Sequence, residues 1–437
     1  MTVRATTTGA DEHGARGAKP RGADGLAAAS RAGVGLAVLG LGAFTVGTSE
    51  LVVVGILDQL ADDAGISIGA AGSLVTAYAL GVALGGPLLT ALTGGLERRA
   101  MLRLALAGYA AANLATAAAA SFAPLFVSRL VAGSLHGAFI GVATVVAAGL
   151  AAPGREGHAI AVVFGGVALS TVVGVPLGTL VGQSLGWQAT FLAIAALGAL
   201  ALLLNMACVP RVRARGTGRL SEEARSALTF PVLATLAIGL LIIGGQFTAL
   251  TYLAPFLDRV SGVSGEAISG FLLAFGVATA IGTFAGGRAA DRSASGTLIV
   301  GNAGVAAMLL ALYLAGSAPA LTLLIVVGWG LLGFGLVSTA LQVRVIGLAG
   351  RGGDLAASLG ASAANAGIAI AALVGGQVVA NLGVRDTALV GALILLACLP
   401  ATVAARSLRR AAPGGRVASA PIGADAGIGA GGGRVGR

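Results

Sequence analysis

The sequence predicts an all-α membrane protein, with twelve transmembrane helices in two six-helix bundles and both termini cytoplasmic. Three observations lead there. The 437 residues are 57% hydrophobic and 10% charged, with a mean hydropathy of +0.95, whereas soluble domains carry about 25% charged residues. Twelve apolar runs each approach the ~20 residues needed to cross about 30 Å of hydrocarbon. One long polar stretch, PRVRARGTGRLSEEARSAL at 210–228, divides those runs six and six.

The first six runs fall at 33–57, 69–92, 101–120, 123–150, 159–183 and 187–208. The second six fall at 229–256, 267–287, 297–316, 319–343, 355–381 and 386–405. They give a first bundle at 33–208, a cytoplasmic linker at 209–228 and a second bundle at 229–405. Residues 1–32 lack the apolar core of a signal peptide, and 406–437 end in GADAGIGAGGGRVGR; both read as disordered cytoplasmic tails. The net charge of +10 is placed by topology, not by a nucleic-acid partner. Inner segments hold Arg98, Arg99, Arg103, Arg155, the Arg211–Arg225 run, Arg288, Arg292, Arg344 and Arg351, while outer loops hold only Arg259 and Arg385. That asymmetry puts the termini inside. Two cysteines, Cys208 and Cys398, are too few for a disulfide framework and read as small fillers.

The halves repeat faintly. At an offset of 200, GILDQLADDAGIS (55–67) faces PFLDRVSGVSGEAIS (255–269), aligning Asp58 with Asp258. Parallel six-span repeats are a transporter architecture with the substrate site between halves near the midplane. Close approach of the halves calls for small residues at helical spacing. The fifth run has them at Gly166, Ser170, Gly174, Gly178 and Gly182, and the eighth at Ala274, Ala278, Gly282, Gly286 and Ala290. The second and eleventh runs offer Ser73, Ala77, Gly81, Gly85 and Ala363, Gly367, Ala371, Gly375.

Particular motifs sit on this frame: FTVGTSELVVVGIL in the first run, RLVAGSLHGAFIGVA (129–143) in the fourth, STVVGVPLGTLVGQSLGWQATF (170–191) in the fifth, and GGRAADR (286–292) after the eighth. On these residues the chain resembles the major facilitator superfamily over about 33–405. Within it the chain looks most like the twelve-span drug:proton antiporters, such as bacterial chloramphenicol-resistance and arabinose-efflux permeases. The resemblance implies an antiporter motif carried by Gly174, Pro176 and Gly178. It also implies a gating loop carried by Gly287, Asp291 and Arg292, whose first-half copy departs from the pattern: Thr90 stands where the family usually has aspartate, and Arg98 and Arg99 come late.

Glu50 is the one carboxylate deep inside an apolar run; Asp58, Asp258 and Asp386 lie at outer ends, Asp291 and Asp354 at inner ends. A charge at a helix centre costs about 2.5–3.5 kcal/mol on insertion scales and is usually functional. Glu50 lies seven residues before the outer edge of its run and Arg129 seven residues into the fourth, so both sit about 10 Å deep at 1.5 Å per residue. A Glu50–Arg129 pair is expected, with His136 two turns deeper on the Arg129 face. Glu50, Arg129 and His136 are therefore the candidate proton-coupling groups, with a static Glu50–Arg129 pair as the plainer reading. Phe44, Gln246, Tyr252, Trp329 and Asn365, polar or aromatic groups in apolar runs, are candidate substrate contacts, with packing the competing role.

The function expected is proton-driven efflux of a small amphipathic compound, such as a phenicol, by alternating access. The partners are a small molecule, protons and the lipid bilayer of the cell membrane, and the protein is expected to act as a monomer. A sugar or nucleoside exporter or facilitator of the same fold is the alternative. A membrane enzyme is disfavoured: HExxH, His/Cys metal spacing and paired intramembrane acids are all missing, so neither catalytic residues, metal nor cofactor is expected. A phosphate loop is ruled out because the single lysine is Lys19.

Overall fold

The computed structural model describes residues 21–93, 95–152, 155–210 and 225–408, all of it helix and short connection. The parts of the expected tails at 1–20 and 409–437, and most of the expected linker (211–224), lie outside the described residues. Helix α1 runs Arg21–Gly55, so it begins inside the stretch expected to be a disordered tail. The local reason is composition: LAAAS supplies three consecutive alanines, the best helix formers.

A short helix, Leu57–Ala64, follows and is closed by left-handed Gly65 (φ 62°). Then come α2 (Ile68–Leu92), α3 (Arg98–Ala117), α4 (Phe122–Leu150), α5 (Glu156–Leu185) and α6 (Trp187–Cys208). After the linker come α7 (Phe230–Arg259), α8 (Glu266–Ala315), α9 (Pro319–Ala349), α10 (Leu355–Asn381) and α11 (Asp386–Ser407). Ten of these helices are long and apolar enough to cross a membrane. The two departures from the twelve expected runs are local. Helix α3 is 20 residues long but carries Arg98, Arg99 and Arg103 in its first turns. Helix α8 is one 50-residue element spanning two expected runs, with a single non-helical residue, Ser293, between them (φ −162°, ψ 92°).

The glycine stripes do not do what the sequence suggests. They were expected to join the halves, yet each seals a helix pair within one half. Gly174 and Gly178 of α5 lie against Thr48 and Val52 of α1, and Gly166 lies on the Gly40 carbonyl. Gly81 and Gly137 close α2 onto α4, while Gly282 and Gly286 close α8 onto the Leu331–Leu336 backbone of α9. Gly367 and Gly375 close α10 onto Leu240 and Thr248 of α7. A Cβ at Gly286 would stand 2.8 Å from Leu336 Cα, and one at Gly137 2.9 Å from Gly86 Cα. Such close approach is how helices associate where lipid removes the hydrophobic incentive. The pairing repeats: α1 with α5 and α2 with α4 before the linker, then α7 with α10 and α8 with α9 after it.

Different small residues join the halves. Gly69 meets Gly376, Gly72 meets the Tyr252 hydroxyl, and Gly276 meets the Thr171–Val172 backbone. Among the described residues the side-chain hydrogen bonds between halves are Thr76 Oγ1 to Ala369 O (3.0 Å), Ser269 Oγ to Gln183 Oε1 (3.3 Å) and Arg259 to Asp58 (3.3 Å). These contacts run from the middle of the helices, at Thr76–Ala369 and Gly276–Thr171, to the end of the bundle where α1 leaves and α2 enters, here termed the Asp58 end. The opposite end carries Arg98, Arg99, Arg288 and Arg292.

Candidate functional site

A polar cluster lies where α1, α2, α3 and α4 meet. Arg129 of α4 is fully buried. Its guanidinium forks onto one residue of α1, donating to Ser49 Oγ at 2.8 Å and to the Ser49 carbonyl at 2.7 Å. Ser49 Oγ in turn donates to Asn113 Oδ1 of α3 at 3.0 Å. The same guanidinium lies 4.2 Å from the Tyr78 ring centroid and 5.5 Å from that of Phe191. Two charge-assisted hydrogen bonds and a cation–π contact thus stand in for a carboxylate.

The expected Glu50–Arg129 ion pair is replaced by another partner for each residue. Neighbouring residues on a helix point about 100° apart. Ser49 takes the bearing that faces Arg129, and Glu50 turns away from it. Glu50 Oε2 instead comes within 3.9 Å of His136 Nδ1, with side-chain exposures of 18% and 7% respectively. Glu50 is therefore mostly buried beside the imidazole of a buried histidine.

Sequence reasoning missed Ser49, Tyr78, Tyr109 and Asn113. Tyr78 is the hub: its hydroxyl lies 3.0 Å from His136 Nδ1, 3.1 Å from the Tyr109 hydroxyl and 3.0 Å from the Val46 carbonyl. Tyr109 also donates to Val46 O at 3.3 Å, and Asn113 Nδ2 donates to Tyr109 O at 2.9 Å. A signal was present, since the chain has four tyrosines and two of them meet here. The cluster is held at backbone range because Gly133 of α4 rests on the Tyr78 carbonyl.

The other expected site residues scatter. Gln246 and Trp329 are fully buried and satisfy each other, Trp329 Nε1 donating to Gln246 Oε1 at 3.3 Å. Trp329 also packs edge-on against Phe275 at 5.7 Å. Tyr252 is buried at the seam between halves and donates to Ala372 O at 2.7 Å. These three are occupied with packing, while Phe44 and Asn365 stay half-buried, with Asn365 Oδ1 unpartnered among the described residues. Gly174 closes a π-turn, Ser170–Gly174, and Pro176 is the second residue of the α-helical segment after it, Val175–Leu185, where a missing N–H costs least. Asp291 and Arg292 are exposed beside the Ser293 break, Gly287 half-buried. Arg99 donates to Met206 O at 2.6 Å, tying α3 to the end of α6, and Arg98 lies half-buried beside it.

At the Asp58 end a small cleft lies between the halves, lined by Gly55, Asp58, Gln59, Gln183 and Asp258 among others. Burial pushes the Asp58 carboxyl up from 3.8 to about 6; Arg259 pulls it down, and Asp258 and Asp62 push it further up.

A helical bundle with paired repeats and a buried polar cluster in its first half is the build of a membrane transporter. A profile of the Major Facilitator Superfamily matches residues 39–360. The inner membrane transport protein YdhP of Escherichia coli (strain K12) is 34% identical over 361 residues, covering 82% of this chain and 92% of that protein. A chloramphenicol resistance protein of Streptomyces lividans is 33% identical over 374 residues, covering 84% and 95%. Among solved structures, an inward-facing, occupied bacterial homolog of the human lysosomal transporter Spinster superposes with a TM-score of 0.72 at 16% identity. It covers 85% of this chain and 96% of its own. A D-xylose–proton symporter superposes at 0.69 with 19% identity, covering 84% and 96%. At such identities these two speak to the fold alone. The chain belongs to the Major Facilitator Superfamily.

Proposed function

We propose that this protein exports a small, partly apolar compound, a phenicol for example, in exchange for protons by alternating access across the cell membrane. The observation carrying this is Glu50: a carboxylate within an apolar helix, 18% exposed and 3.9 Å from a histidine nitrogen. A carboxylate in that position is costly unless it is used. In this reading Glu50 and His136 hold the exchanged proton, and Arg129 clamps α1 to α4 through Ser49. Phe44 and Asn365 contact substrate, while Gln246, Tyr252 and Trp329 hold the second half together. The likeness to the Streptomyces lividans resistance protein supports a drug substrate.

The same reading has twelve spans, because α8 is long enough for two on either side of Ser293 and α3 is 20 residues long. The bundles are 33–208 and 229–405, and the arginine-rich end and both termini face the cytoplasm, as the positive-inside rule asks. The side-chain hydrogen bonds between halves lie between the middle of the helices and the Asp58 end, which supports a state closed outside and open inside. Rocking of the halves on the α5–α8 and α2–α10 seams then exchanges the openings, with Gly287, Asp291 and Arg292 in one half and Arg98 and Arg99 in the other as gating loops at the inner end. The protomer is complete as a monomer in this scheme.

The test is transport in proteoliposomes with a controlled pH gradient, using chloramphenicol, xylose and uridine as separate probes. Gradient-dependent chloramphenicol movement supports the proposal. Xylose or uridine movement without it replaces the substrate class, and movement indifferent to the gradient removes the coupling.

A further inference from the structure

The Tyr78 hydroxyl has one proton and more than one use for it. Val46 O and His136 Nδ1 each lie 3.0 Å away. Val46 is one helical turn before Glu50, so its carbonyl belongs to the turn that carries the carboxylate. His136 Nδ1, at 3.9 Å from Glu50 Oε2, is also the nitrogen that faces the carboxylate.

Two self-consistent arrangements follow from donor and acceptor counting. With Glu50 ionised, a proton on Nδ1 is attracted to the carboxylate and donated to the Tyr78 oxygen, and the Tyr78 proton turns to Val46 O. With Glu50 protonated, that attraction is gone. The Tyr78 proton turns to Nδ1, which becomes an acceptor, and His136 carries its hydrogen on Nε2. We propose that Tyr78 is a positioning residue that ties the tautomer of His136 to the protonation of Glu50 through this two-way hydroxyl. The inference rests on the proton-coupled reading of the site, but its test needs no transport.

Among the described residues the charged and titratable groups around His136 are few, so the effect can be assigned. They are Glu50 on α1, Tyr78 on α2 with Tyr109 of α3 behind it, and Arg129 on its own helix, itself held by Ser49. The protein contains two other histidines, His13 and His158. With both changed to Gln, ring-15N-labelled protein in lipid nanodiscs reports His136 alone, and the two nitrogen shifts give the tautomer directly.

In otherwise wild-type protein, titration is expected to move His136 from Nε2–H at low pH to Nδ1–H at high pH. Glu50→Gln is expected to abolish that switch, holding Nε2–H throughout. Tyr78→Phe is expected to lose the Nε2–H preference at low pH while keeping the fold, since only a hydroxyl is removed. A switch in Glu50→Gln equal to wild type overturns the link to the carboxylate. A wild-type switch in Tyr78→Phe overturns the role of the hydroxyl. Should Tyr78→Phe fail to fold, a 15N–1H correlation between His136 Nδ1 and the Tyr78 hydroxyl proton in otherwise wild-type protein takes its place: it is expected at low pH, and its absence there overturns the role of the hydroxyl. Failure of drug transport with an intact tautomer switch would sink the export reading and leave this one standing.

Discussion

Replacing Gly133 with Ala should damage the polar cluster without touching any polar atom. A Cβ there falls onto the Tyr78 carbonyl group, 2.8 Å from its carbon and 3.0 Å from Tyr78 Cα. Carbon atoms prefer about 3.5–4.0 Å, and the obstacle is backbone, so α2 must withdraw from α4 by roughly 0.5–1 Å. The Tyr78–His136 bond, now 3.0 Å, would then reach about 3.5–4 Å, beyond useful hydrogen-bond range. Overpacking costs about 1–3 kcal/mol, and a buried hydrogen bond adds about 1 kcal/mol, giving roughly 2–4 kcal/mol in all. Thermal unfolding followed by fluorescence-detected size exclusion, with transport measured in parallel, reads both losses. Gly165→Ala is the control, because nothing lies within 4 Å of a Cβ there. If Gly133→Ala matches that control in melting point and transport, the close α2–α4 seam and the reasoning built on it are wrong.

Arg129→Lys should lose most transport, because an ammonium cannot reproduce the fork onto Ser49 Oγ and Ser49 O; initial rates in vesicles check this, with at least a tenfold drop expected. Ser49→Ala, which keeps the carbonyl acceptor but removes the hydroxyl that accepts from Arg129 and donates to Asn113, should cost about 2–4 kcal/mol of stability, read as a lower melting point. Closure at the Asp58 end should depend on pH. The Asp58 carboxyl is raised to about 6 from 3.8, chiefly by burial, so the closed state holds its proton more tightly than a hydrated reference. Its closure is therefore strongest below about pH 4, weakens as pH rises through 6 and levels off above. Distance measurements between spin labels across that end should show the closed population falling between pH 4 and 7, and Asp58→Asn should flatten the curve.

The helices and their order were legible in hydropathy alone, because a bilayer demands long apolar runs and tolerates little else. The meeting of α1 with α4 near Glu50, Arg129 and His136 was legible too, since residue counts along a helix measure depth. Rotation was not. Depth arithmetic put Glu50 level with Arg129, yet Ser49 holds the bearing that faces the guanidinium, and one residue's turn gave Glu50 to His136 instead. The stripes were visible as spacing, but spacing does not name the helix on the other side. Gly174 and Gly178 met α1 rather than the second half, and the halves touch through Gly69, Gly72 and Gly276. Gln246 and Trp329 looked like ligand groups because each is polar or aromatic in oil; only three-dimensional adjacency reveals that they satisfy each other.

The most direct test is substrate-driven proton movement in proteoliposomes holding an internal pH-sensitive dye, wild type against Glu50→Gln, with chloramphenicol added on one side. The account predicts a pH change in the wild type and none in the variant, although the variant folds and still binds the compound. A variant that moves protons as fast as the wild type would contradict it.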